Sequence, residues 1–167
     1  RAFLTERPQT SRGKKSSQLQ KPRGVACDDY NIYVSEVGGS TLRKLRLPDE
    51  FRKAGASTPR GAKVGEIALE SEPTARSQLT FPQGITHSDG ELFVCDCEDH
   101  CVVVYDASTL THVRSFGSPG YEEGELSFPY SCAVIGSEVL VADVGNHRLS
   151  SFSRRTGKFV RCIGQEG

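Results

Sequence analysis

Apolar and polar positions alternate along this chain in short runs, and the runs recur. One run reads Gly84-Ile85-Thr86, then Leu92-Phe93-Val94-Cys95-Asp96, then Cys101-Val102. The next reads Ser131-Cys132-Ala133, then Val139-Leu140-Val141-Ala142-Asp143, then Arg148-Leu149. An earlier copy reads Gly24-Val25-Ala26, then Ile32-Tyr33-Val34-Ser35-Glu36, then Thr41-Leu42. Each copy opens on a proline (Pro22, Pro82, Pro129), with Leu19, Leu79 or Leu126 three positions before it. A large side chain, Tyr33, Phe93 or Leu140, lies 11 positions past it. Self-similarity at a fixed period is the mark of a repeat architecture.

The patterning predicts four short strands per unit. In the second unit they are 84–88, 91–97, 101–107 and 112–117. In the third they are 131–136, 138–144, 148–154 and 159–164. β-branched and aromatic residues dominate them, and Asp89-Gly90, Gly145-Asn146 and Thr156-Gly157 punctuate them as turns. No stretch keeps helical spacing over the length a helix requires. The prolines are 47 positions apart between Pro82 and Pro129, and 60 apart between Pro22 and Pro82. The 13 additional residues of the first unit are expected as a surface insertion at about 46–63, where Pro48, Gly55, Pro59 and Gly61 interrupt the pattern.

Four strands repeated at this period are the signature of a β-propeller blade. The fold expected is all-β: a propeller fragment of three four-stranded antiparallel blades forming an open arc. Residues 1–20 are assigned to the remnant of a preceding blade and a linker, 21–80 to the first blade, 81–127 to the second and 128–167 to the third. Phe3-Leu4-Thr5 fits the last strand of the preceding blade. A blade needs neighbours on both faces, so the arc is expected to end in two apolar faces. Continuation of the parent chain is the favoured way to cover them, and self-association the other.

The stretch Asp143-Val144-Gly145-Asn146-His147-Arg148-Leu149 resembles the signature of NHL repeats. Asp96-Cys97-Glu98-Asp99-His100-Cys101-Val102 is similar, keeping Asp and His but lacking Asn and Arg. Glu36-Val37-Gly38-Gly39-Ser40-Thr41-Leu42 is a weaker copy, with Glu for Asp and neither Asn nor His. The resemblance covers about residues 18–167. It implies a non-catalytic scaffold that binds a protein or peptide by loops on one face. In that family such propellers often form the substrate-recruiting end of ubiquitin ligases, whose zinc modules are absent from this sequence. The resemblance also admits single-stranded RNA binding on a basic top face, and remotely a metal-dependent lyase acting on amidated-peptide precursors.

Charge changes this picture little. Lys and Arg number 21, as do Asp and Glu, so the net charge is zero. Residues 1–63 carry 14 of the 21 basic residues and only 6 of the acidic ones, which makes a basic patch or a solvated linker at that end. The candidate partner-binding residues are Arg23, Gln83 and Tyr130, aligned at the start of each unit's first strand, with His100, His147 and Arg148 from the turn after the second strand. The turn residues have an equally direct structural use, since Asp and Asn side chains bond turn backbone, and that use is favoured for Asp143, Asn146, His147 and Arg148. The acidic loop Tyr121-Glu122-Glu123-Gly124-Glu125 enters the same face and opposes phosphates.

Other chemistry finds little footing. Cys95, Cys97 and Cys101, beside His100, superficially resemble a zinc set. They align, however, with small or apolar residues of the other units, Cys95 with Ser35 and Ala142, Cys97 with Val37 and Val144. All six cysteines are read as reduced, core-type thiols. The four histidines are scattered, and only His87 sits where it could face a central channel. No nucleophile elbow and no phosphate-cradling glycine loop is present. The expectation is therefore no catalytic residues, no metal and no cofactor. There is no apolar run long enough to span a bilayer, and a cytoplasmic location is expected.

Overall fold

A computed structural model of the chain describes residues 19–47 and 79–164. The first sheet holds β1 (Pro22–Cys27), β2 (Asn31–Glu36) and β3 (Thr41–Arg46). The second holds β4 (Pro82–Ser88), β5 (Glu91–Asp96), β6 (Cys101–Asp106) and β7 (His112–Phe116). The third holds β8 (Pro129–Ile135), β9 (Glu138–Asp143), β10 (Arg148–Ser153) and β11 (Phe159–Ile163). In each sheet the strands lie in sequence order and pair antiparallel, as a meander does. A single 3-10 turn, Val144–Asn146, is the one helical element among the described residues.

The three repeated units thus adopt the same arrangement, and the fold is all-β with propeller blades. The first blade shows three strands. Its expected fourth strand, the insertion at about 46–63 and the Phe3–Thr5 strand fall wholly or mostly outside the described residues. Strands end one or two positions from where the pattern places them. The first strands begin earlier, at Pro82 and Pro129, because a β-bulge separates each proline from the regular ladder. The same bulge follows Pro22.

Burial follows from strand alternation. In β5 everything after Glu91 is buried, because the middle blade is covered on both sides. Leu92 and Val94, with Val103 and Tyr105, face the first blade and pack with Tyr33 and Leu42. Phe93 and Cys95, with Val102, Val104 and Phe116, face the third and pack with Cys132, Val139, Val141 and Phe152. Fully burying one such side chain is worth roughly 1.5–3 kcal/mol, so these two layers hold the blades together.

The blades approach most closely at their first strands. A Cβ on Gly24 would lie 2.6 Å from the Gln83 carbonyl oxygen, and one on Gly84 would lie 2.7 Å from that of Tyr130. Only glycine lets the backbones meet at those two points. Hydrogen bonds stitch the same seam. Ser35 Oγ donates to the Gln83 carbonyl at 2.6 Å, and Thr86 Oγ1 to the Cys132 carbonyl at 2.6 Å.

Candidate functional site: one edge of the stacked blades

The turn between the second and third strands of each blade lies at the same edge as the start of its first strand. Val37 N–H bonds Lys21 O, Cys97 N–H bonds Phe81 O, and Gly145 N–H bonds Ser127 O. This edge carries the motif residues, the three bulges and the 117–127 loop.

A buried carboxylate anchors it in every blade. Glu36, Asp96 and Asp143 are each no more than 1 % exposed. Each accepts backbone N–H groups from the segment leading into its own first strand. Gln20 N–H donates to Glu36 at 2.6 Å, Thr80 and Phe81 N–H to Asp96 at 2.6 and 2.8 Å, and Ser127 N–H to Asp143 at 2.7 Å. In the third blade Asp143 also accepts from Asn146 Nδ2 and Arg148 Nε, both at 2.9 Å. The Arg148 guanidinium then donates to the carbonyls of Tyr121, Glu122 and Glu125 at 2.8, 2.8 and 2.9 Å. Asn146 Nδ2 reaches the Gly120 carbonyl at 2.9 Å. The Asp-x-x-Asn-His-Arg motif therefore folds the 117–127 loop down onto the blade, and the Arg148 donors are spent on Asp143 and on loop carbonyls.

Sequence reading missed the first blade's version. Arg43 Nε bonds Glu36 at 2.9 Å, with both side chains buried. Arg43 comes seven positions after its carboxylate, whereas Arg148 comes five after Asp143, so aligning the motif does not find it. His100 and His147 share a left-handed backbone, with φ of 53° and 54°. His100 Nδ1 accepts the Phe128 N–H at 3.0 Å, and the two rings meet edge to face at 4.6 Å. His147 is exposed.

Arg23, Gln83 and Tyr130 are the residues after each proline, at the bulges. A bulge re-aims side chains and interrupts the ladder. Arg23 and Tyr130 are exposed, whereas Gln83 is only 5 % exposed. Among the described residues its Nε2 has no hydrogen-bond partner. Exposed Tyr121, Phe128 and Val144 lie along the same edge.

The cysteines do not converge. Asp96 pairs with Cys101 and Cys95 with Val102, so Cys95 and Cys101 project from opposite faces of the middle blade. Cys95 packs towards the third blade and Cys101 towards the first. Burial, then the nearby Asp96 and Asp99 carboxylates, push the Cys101 thiol up to about 12. Cys95 is raised by its hydrogen bond to Cys132 and by burial. These are poor thiolate ligands. Among the described residues no group of three or more His, Cys, Asp or Glu is placed to hold a metal. The histidines are also separate. His87 stacks on Tyr33 at 5.8 Å and His112 meets Tyr105 at 6.1 Å, both engaged with aromatic rings.

Residues 79–105, which contain β4, β5 and most of β6, match the NHL repeat. The chain carries an NHL repeat in a β-propeller frame. The chain also superposes on solved structures of low sequence identity, which bear on its fold alone. It is similar to Myxococcus xanthus glutaminyl cyclase, with 12% identity and a TM-score of 0.57, covering 86% of this chain and 53% of that one. A chain of a nidogen/laminin complex gives 13% identity and a TM-score of 0.59, covering 89% and 49%. Kuenenia stuttgartiensis hydrazine synthase gives 14% and 0.64, covering 93% and 39%. The chain thus spans about half or less of each. Among the described residues no helix is long and apolar enough to cross a membrane.

Proposed function

We propose that the chain is a non-catalytic scaffold whose bulged edge binds a protein or peptide segment. One observation carries this reading. The bulges set Arg23, Gln83 and Tyr130 on three adjacent first strands, and the Gln83 amide is buried with a donor that has no partner among the described residues. An unpaired buried donor costs roughly 1–3 kcal/mol, and a peptide carbonyl would remove that cost. Arg23 supplies a cation on one side of it. Tyr130 supplies an amphipathic ring on the other, the residue type that dominates binding hot spots. Exposed Glu122 and Glu123 near the third blade, against Lys21 and Arg23 on the first, give the edge opposite charge at its two ends. That polarity suits an extended peptide better than a uniformly anionic strand. In a larger protein, this edge would act as a substrate-recruiting surface of the kind used by ubiquitin ligases.

The test is selection of a random peptide library on the 167-residue chain, followed by calorimetry with the selected peptide. Arg23→Ala and Tyr130→Ala should each weaken binding about tenfold or more, at unchanged melting temperature. A selected peptide indifferent to both, or a uridine-rich RNA oligomer that binds more tightly with a steep salt dependence, would refute the reading.

A further inference from the structure

The bulged edge sets three groups able to donate hydrogen bonds on neighbouring strands: the Arg23 guanidinium, the Gln83 amide and the Tyr130 hydroxyl. Ser35 ties the first two together. Its Oγ receives the Gly24 N–H at 2.8 Å and donates to the Gln83 carbonyl at 2.6 Å. On the other side the backbone at Gly84 lies directly against that at Tyr130.

Gln83 differs from both neighbours. It is buried, whereas Arg23 and Tyr130 are exposed, and its Nε2 has no partner among the described residues. Buried polar groups are normally paired, so an exception calls for a reason. Packing alone supplies none, because Leu or Met would fill a similar volume without stranding a polar atom.

A carboxylate suits this place better than a neutral carbonyl. Among the described residues Arg23 makes no ion pair. The acids opposite the two prolines are already taken. Glu36, opposite Pro22, accepts the Gln20 N–H and Arg43 Nε, and Asp96, opposite Pro82, accepts the Thr80 and Phe81 N–H groups. Lys21 adds a second exposed cation at this end. Hydrogen bonds to an ionised acceptor are also the stronger ones.

We propose that Gln83 and Arg23 form a carboxylate-binding pair. It takes an acidic side chain or the free C-terminus of a bound peptide, and Gln83 sets the specificity. This rests on the bulged edge being a peptide-binding surface, and it names the group which that surface selects.

Side-chain amide resonances of the isotope-labelled chain test this, those of Gln83 being identified by their loss in Gln83→Leu and Gln83→Met. The probes are a doubly capped Gly-Glu-Gly peptide, an N-capped triglycine with a free C-terminus, and a doubly capped Gly-Gln-Gly peptide as the neutral control. At least one carboxylate probe should shift the Gln83 amide saturably, and about tenfold more weakly in Arg23→Gln. Which probe acts distinguishes side chain from C-terminus. In the free chain Gln83→Leu and Gln83→Met should raise the urea midpoint, since the stranded donor is gone. A Gln83 amide unmoved by both carboxylate probes, or moved equally by the neutral one, would overturn the proposal. So would a lower midpoint in both variants, which would give the amide a structural partner instead. A library-selected peptide that binds Gln83→Leu as tightly as the unaltered chain would overturn this pairing and leave the scaffold function standing.

Discussion

At the scale of single residues, Asp143 does the most. It is fully buried and ties the start of the third blade, the turn after β9 and Arg148 into one hydrogen-bonded unit. Removing one partner of a buried ion pair strands the other, typically at roughly 3–5 kcal/mol. Asp143→Ala should therefore lower stability by about that amount, read from urea denaturation. This residue was legible in the sequence as a motif position, and the structural use favoured for it and for Asn146 and Arg148 matches the geometry. Gln83 was legible only as a position aligned with Arg23 and Tyr130. Its buried amide, without a partner among the described residues, depends on how closely the neighbouring first strands approach, which a single strand's pattern does not carry.

At the scale of elements, the strands were legible because a period-2 pattern bounded by turn residues leaves few alternatives. The bulges were not, since one extra residue beside a proline barely alters the apolar alternation. The cysteines were legible in part. Pairing Asp96 with Cys101 reverses the face of Cys101 relative to Cys95, and strand parity alone predicts that once the turn length is fixed. The turns at the opposite edge carry a pH dependence. Burial opposes ionisation of Asp28, but bonds from the Tyr33 hydroxyl and from Tyr30 and Asn31 outweigh it and lower its pKa to about 2. Asp106, bonded by Ser108 and Thr109, also falls to about 2. In the unfolded chain both sit near 3.8. The unfolded state then binds more protons between these values, so stability declines as pH falls. The contribution is complete above about pH 4 and disappears as pH drops towards 2. The denaturation midpoint should fall across that window, and Asp28→Asn with Asp106→Asn should flatten the fall.

At the scale of the whole molecule, blades stack through alternating apolar layers and a close seam of first strands. Repetition made the stack legible. Pro22, Pro82 and Pro129 mark units whose second strands carry equivalent side chains on equivalent faces. The insertion at about 46–63 interrupts that register, and the fourth strand expected for the first blade lies outside the described residues. Amide hydrogen exchange on the intact chain tests the stack most directly, because slow exchange marks strands that open only with the global fold. The second strands, Asn31–Glu36, Glu91–Asp96 and Glu138–Asp143, each lie between two hydrogen-bonded neighbours. They should exchange slowest in all three units, with β5 slowest of all because its blade is covered on both faces. Rapid exchange in any one of the three second strands, with the others protected, would contradict the account.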